Sequence, residues 1–125
     1  MPELILKDEV FEVAGAAMDV YFTLGTGFLE PVYQEALTIE MTRRKIPFER
    51  EKSLDLYYKG TLLSKKYIAD FICFNEIILE IKVVPRLTNI EFAQLINYMK
   101  ITHKRVGVLA NFGSRPKLEW KRIVI

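Results

Sequence analysis

The chain has one cysteine, one histidine and one tryptophan among its 125 residues. A lone cysteine, Cys73, cannot close an internal disulfide, and no grouping of Cys and His has the spacing of a zinc site, which fits a reducing, cytoplasmic compartment. No apolar run approaches the roughly 18 residues of a membrane span. Met1-Pro2-Glu3 lacks the basic start and apolar stretch of a leader, so neither a membrane partner nor export is expected. There is no glycine-rich phosphate loop of Walker type, which argues against an NTPase. With His103 as the only imidazole, no Ser/His/Asp or Cys/His triad can be put together with conviction. An excess of charge is missing too. The 18 Lys+Arg against 16 Asp+Glu leave +2, too little by itself to mark a nucleic-acid binder.

What is present is the composition of one ordinary domain spanning 1–125, with 50% hydrophobic and 27% charged residues. A chain of this size buries roughly two-thirds of the surface of its unfolded form. Charge is unevenly spread: residues 1–30 hold six acids (Glu3, Asp8, Glu9, Glu12, Asp19, Glu30) and one base, whereas residues 100–125 hold seven bases and one acid, Glu119. An acidic and a basic lobe are therefore open.

Apolar residues at Val10, Val13, Ala14, Ala17, Val20, Tyr21 and Leu24 have helical spacing, and Gly25-Thr26-Gly27 ends that helix. A second helix is expected from about Phe28 to Lys45, with Pro31 in its first turn and Glu30 complementing its dipole. From Phe48 to Val84 the pattern turns β-branched and aromatic. Turns at Lys59-Gly60 and Asn75-Glu76 divide it into three strands joined by hairpins. Thr88-Asn89-Ile90-Glu91 has the form of a capping box opening a helix to about Thr102, with Phe92, Leu95, Ile96 and Met99 on its apolar face. Val106–Ala110 reads as a buried strand entered from a helix, hence a parallel pairing, and Leu118–Ile125 as an edge strand. The expected class is α/β, a mixed sheet flanked by helices in the order ααβββαβ(β).

Three charges interrupt the apolar hairpin 69–82. On a strand Glu80 and Lys82 project to one side, Leu79, Ile81 and Val83 to the other. Asp70 joins them only if the loop is the three-residue Phe74-Asn75-Glu76, with Cys73 facing Ile77; a two-residue loop puts Asp70 on the wrong face. In the favourable register the two carboxylates stand about 4.5–5.5 Å apart at Cβ, an unfavourable pair unless a cation lies between them. Mg²⁺ or Mn²⁺ takes such oxygens and holds phosphate with them, and Lys82 beside the ion would orient or deprotonate a water or neutralise charge on a phosphate. The plainer reading is a solvated sheet face, with Asp70 near a turn.

Gln94 and Tyr98, four residues apart, share a polar face of the third helix, about 40° from one another. Glu91 shares it too, although the capping box accounts for Glu91. Glu30 and Tyr33 sit together at the start of the second helix. Gly27-Phe28-Leu29-Glu30-Pro31-Val32-Tyr33, then Asp70, Glu80-Ile81-Lys82, Gln94-Leu95-Ile96-Asn97-Tyr98 and Asn111-Phe112-Gly113, together resemble the GxxExxY protein family, a branch of the PD-(D/E)xK nuclease superfamily, over nearly the whole chain. The resemblance implies a restriction-endonuclease-like core and metal-dependent cleavage of phosphodiester bonds in nucleic acid, DNA first. It implies Asp70 and Glu80 as metal ligands, Glu30 as the helical acid completing the metal site, Lys82 as the catalytic lysine, and Gln94 and Tyr98 as a Q-x-x-x-Y element beside it. Members often carry histidine where this chain has Tyr21 and Glu91, and proline where it has Ala69.

The alternative is a catalytically silent nucleic-acid-binding or partner-binding module that keeps the nuclease fold. An unrelated hydrolase using the carboxylates as acid and base fits less well, because Lys82 suits phosphates. The basic pairs Lys65-Lys66, Lys104-Arg105 and Lys121-Arg122 and the run Arg43-Arg44-Lys45 could meet a phosphate backbone, although such runs are more often solvated surface. So short a core leaves substrate selection open to a second copy of the chain or to another protein.

Overall fold

The structure is a computed structural model describing residues 5–125. Met1, Pro2 and Glu3, on which the expectation of no leader rests, lie outside the described residues. The helical spacing near the N-terminus becomes α1, Lys7–Leu24, with Val10, Val13, Ala14, Ala17 and Val20 buried. Gly25 ends it at a φ of 69°, and Gly27 turns the chain at 107°, backbone conformations that side chains with a Cβ resist. Helix α2, Glu30–Arg43, is shorter than Phe28–Lys45 because Leu29 is extended and Lys45 has a positive φ. Its buried Tyr33, Leu37 and Met41 recur every four residues.

Between α2 and the next helix the structure differs from three hairpin-joined strands. Strand β1, Phe48–Leu54, is followed by the two-residue strands β2, Tyr57–Tyr58, and β3, Thr61–Leu62, and then by β4, Tyr67–Cys73, and β5, Ile77–Lys82. The Lys59-Gly60 turn therefore closes a separate two-stranded ribbon, and β1 pairs antiparallel with β4 across it. Helix α3, Asn89–Thr102, opens on the expected capping box at Thr88 and Glu91. Strand β6, Val106–Asn111, runs parallel to β5, and β7, Glu119–Val124, closes the sheet as an edge, giving the order β1-β4-β5-β6-β7.

Helices cover both faces of the sheet. Helices α1 and α2 bury Phe71, Cys73, Leu79, Ile81 and Val108, while α3 packs Leu95 and Met99 onto Ile78 and Leu109. Gly107 permits that approach: a Cβ there would stand 2.7 Å from Met99 Sδ and 2.9 Å from Leu95. The central strand β5 is consequently buried along Ile77–Ile81. Glu80 is only 3% exposed, so the reading of a solvated face beneath Glu80 and Lys82 is overturned, and the physical reason is α3. Each Leu or Ile so buried is worth about 1.5–3 kcal/mol against leaving it exposed.

Candidate active site

The hairpin β4–β5 takes the three-residue loop: Cys73 faces Ile77, Ile72 faces Ile78 and Phe71 faces Leu79. One step further along that register stand Asp70 and Glu80, where side chains replace the ladder. Glu80 Oε2 accepts from the Asp70 amide at 2.6 Å, and Asp70 Oδ2 accepts from the Ile81 amide at 2.9 Å. Alternation also changes phase there, since Ala69 shares the α3-side core with Ile72 while Phe71 and Cys73 belong to the other. The change lets Asp70 turn toward β5. Opposite it on β1, Glu51 has a φ of 52°, and its charge reaches Asp70.

From β5 the site passes to α3. Lys82 Nζ donates to Gln94 Oε1 at 2.6 Å, and Gln94 Nε2 donates to Tyr98 Oη at 3.2 Å. The i, i+4 spacing of Gln94 and Tyr98 makes this relay. Tyr98 is buried, with its ring edge-on to Tyr67 at 6.3 Å. Glu91 is occupied at the cap, accepting from the Thr88 amide at 2.6 Å, and that bond holds its carboxyl below the usual value. Among the described residues Lys82 makes no ion pair with either carboxylate.

The electrostatics follow from burial. Desolvation pushes the Glu80 carboxyl up to about 8, with the Asp70 charge adding to it. Asp70 is raised by desolvation as well, against the Ile81 amide and the positive charge of Lys82. Glu30 is raised by partial burial and then by Asp70, which places the head of α2 within electrostatic reach of the hairpin. Desolvation also raises the Tyr98 phenol. The structure thus joins Asp70 to Glu80 and Lys82 to Gln94 and Tyr98, with Glu30 within electrostatic reach of Asp70 and Lys82. Cys73, by contrast, is fully buried, its thiol pushed up to about 12, as an inert core residue.

Tyr33 supports the site from below. Its ring stacks on Phe112 at 4.6 Å and its hydroxyl donates to Gly25 O at 2.6 Å while accepting from the Phe28 amide, so it ties the turn before Glu30 to the core. It is wholly buried, although it sits one turn from Glu30 at the start of α2. A second support is Asn111, also fully buried: Oδ1 accepts from the Val84 and Gly113 amides, Nδ2 donates to Glu119, and Glu119 in turn accepts from the Leu87 amide. A Cβ on Gly113 would stand 2.5 Å from Val84 O. These bonds fix the chain leaving Lys82. The clue to them was the Asn111-Phe112-Gly113 motif; nothing in the sequence marked Glu51.

Among the described residues no group of three or more His, Cys, Asp and Glu is arranged to hold a metal ion. The pair Asp70 and Glu80 nevertheless suits a small hard cation, which keeps waters and takes phosphate oxygens alongside one or two carboxylates. The amides take up Glu80 Oε2 and Asp70 Oδ2, and among the described residues the second oxygen of each carboxylate, Asp70 Oδ1 and Glu80 Oε1, accepts no hydrogen bond. Two desolvated carboxylates, one with its pKa raised to about 8, form an arrangement that a cation would relieve.

A sequence profile of the PD-(D/E)XK nuclease superfamily matches residues 7–123. The chain belongs to the PD-(D/E)XK nuclease superfamily. Nucleases of this superfamily generally use divalent metal ions. The fold is similar to that of the crystal structure of SSO0001, 17% identical at a TM-score of 0.61, covering 95% of this chain and 59% of that one. It also resembles an alkaline exonuclease from Laribacter hongkongensis, 13% identical at a TM-score of 0.50, covering 99% of this chain and 72% of that one. The chain thus spans about three-fifths of the first structure's length. No curated protein is significantly similar in sequence.

Proposed function

We infer that the protein is a nuclease of the GxxExxY branch, cleaving phosphodiester bonds of nucleic acid, DNA in the first instance, with Mg²⁺ or Mn²⁺. The observation that carries this reading is the convergence of Asp70, Glu80 and Lys82, with Lys82 Nζ held on Gln94 at 2.6 Å. Asp70 and Glu80 would hold the ion, and Glu30 would complete the site from the head of α2. When bound, the ion supplies an activated water and neutralises phosphate charge. Lys82 brings its positive charge to the phosphate oxygens or holds the attacking water, Gln94 fixes the lysine head group, and Tyr98 fixes Gln94. The walls that α3 and the hairpin form around Glu80 keep the dielectric low, which strengthens each of these interactions.

Incubation of the purified protein with single- and double-stranded DNA and RNA in Mg²⁺ or Mn²⁺ tests the reading. Cleavage that EDTA stops and Lys82→Ala abolishes supports it; no cleavage, or equal cleavage by Lys82→Ala, rejects it. The two carboxylates turned onto backbone amides favour one second reading, a silent binding module of the same fold. It predicts salt-sensitive binding that EDTA and Glu80→Ala leave unchanged.

A further inference from the structure

A groove of about 870 Å³ opens between α1 and the segment 114–121, and it takes in Pro85 and Arg86, three and four residues beyond Lys82. The hydrogen bonds from the Leu87 amide to Glu119 and from the Val84 amide to Asn111 join its floor to the chain leaving the active site. Phe22 stands on α1 at this groove with 90% of its surface exposed, and Met18 beside it is also exposed. Trp120, partly buried against the core, lines the same groove. Scattered exposed aromatics are ordinary; these lie within a rim of four cations.

Those cations are Arg86, Arg115, Lys117 and Lys121, all exposed. Among the described residues none of them forms an ion pair. The basic run at Arg43-Arg44-Lys45 behaves differently, since Arg44 is taken up by Asp19 and Glu40. The single acid in the groove, Glu119, already accepts from Leu87 and Asn111. A protein partner would meet few such lysines at the centre of an interface. Duplex nucleic acid would use the cations and leave the aromatic faces idle, because its bases are stacked on one another. Unpaired bases with a phosphate backbone use both.

We propose that this groove binds a single-stranded stretch of nucleic acid running to or from the active site, with bases stacked on Phe22 and Trp120 and phosphates met by Arg86, Arg115, Lys117 and Lys121. The proposal rests on the nuclease reading for its destination, the Lys82 site, and on the groove alone for its binding.

Fluorescence anisotropy separates the two. A labelled oligothymidylate about 15 nucleotides long, and a duplex of the same length, are titrated with the protein in EDTA. The single strand is expected to bind about tenfold tighter than the duplex, with log K falling by about 3 per decade of salt for four phosphate contacts. Phe22→Ala, at a surface position, should weaken the single strand about tenfold, and Arg115→Glu with Lys117→Glu should weaken it and flatten the salt slope. Tyr58→Ala, on the exposed β2–β3 ribbon, should change nothing. Equal affinity for the duplex, indifference to Phe22→Ala and to the charge reversals, or loss in Tyr58→Ala alone overturns the proposal. A dimer in solution that Phe22→Ala splits assigns the groove to a second copy and overturns it too. Phe22-dependent binding without any cleavage in Mg²⁺ keeps the groove and rejects the nuclease reading, and cleavage without that binding does the reverse.

Discussion

On the α1/α2 side of the sheet, Phe71, Leu79, Ile81 and Val108 meet Val13, Ala17, Tyr33 and Leu37, all eight wholly buried. On the α3 side, Ile78 and Leu109 meet Leu95 and Met99 in the same manner, but Glu80, Lys82, Gln94 and Tyr98 stand beside them. Both faces are covered, and the acidic pair with its lysine stands on the α3 side. Side chains alternate along β5, so one strand serves both: its odd residues build core and its even residues Glu80 and Lys82 build the site. The α3 face carries a desolvation cost at its carboxylates, and Glu80 records it with a pKa raised to about 8.

Substitutions can break this division of labour. The largest effect is expected from Lys82→Ala, which should lower cleavage by about 10²- to 10³-fold in a single-turnover assay while leaving the melting temperature nearly unchanged. Next is Glu80→Gln. The folded Glu80 titrates near 8 against an ordinary 4.5, so the folded chain holds this proton more tightly than the unfolded one. Its contribution to stability is full below about pH 4.5 and is lost as pH rises through about 8. Denaturant melts of the metal-free protein between pH 4.5 and 9 should therefore show wild type losing stability where Glu80→Gln does not, and the variant should not cleave. A divalent cation should restore the wild type at alkaline pH.

The α1/α2 face should respond oppositely. Leu79→Ala, next to Glu80 in sequence but wholly buried on the apolar side, is expected to cost about 2–5 kcal/mol of stability by urea denaturation, with cleavage per folded molecule retained in the cold. The smallest effect is expected from Gln94→Ala, which frees the Lys82 head group. Cleavage should fall about tenfold, the scale of one hydrogen bond to a charged group, and Gln94→Glu should shift the pH profile rather than abolish activity. Loss of folding in Lys82→Ala, or loss of chemistry alone in Leu79→Ala, would show that the two faces are not separate.

Much of the division was legible in the sequence. The loop Phe74-Asn75-Glu76 is the one length that aligns Asp70 with Glu80, and period-two alternation then separates Leu79 from Glu80. The i, i+4 spacing of Gln94 and Tyr98 put them on one face of α3. What could not be read was which sheet face α3 would cover. That depends on Gly107 admitting Leu95 and Met99, a contact between segments distant along the chain. Glu80 was for the same reason open to a reading as solvated surface. The β2–β3 ribbon escaped notice because strands of two residues carry no periodicity. The buried bonds of Asn111, like the approach of Glu51 to Asp70, exist only once β1, β4, β5 and β6 are assembled.

On the reading proposed above, Asp70 and Glu80 are a pair made for a divalent cation. Anomalous diffraction from crystals soaked in millimolar Mn²⁺ tests it without reference to substrate. One peak is expected between the two carboxylates, about 2.1 Å from an oxygen of each, and it should be lost in Glu80→Gln. Absence of the peak, with Glu80 still on the Asp70 amide and Asp70 still on the Ile81 amide, would contradict it.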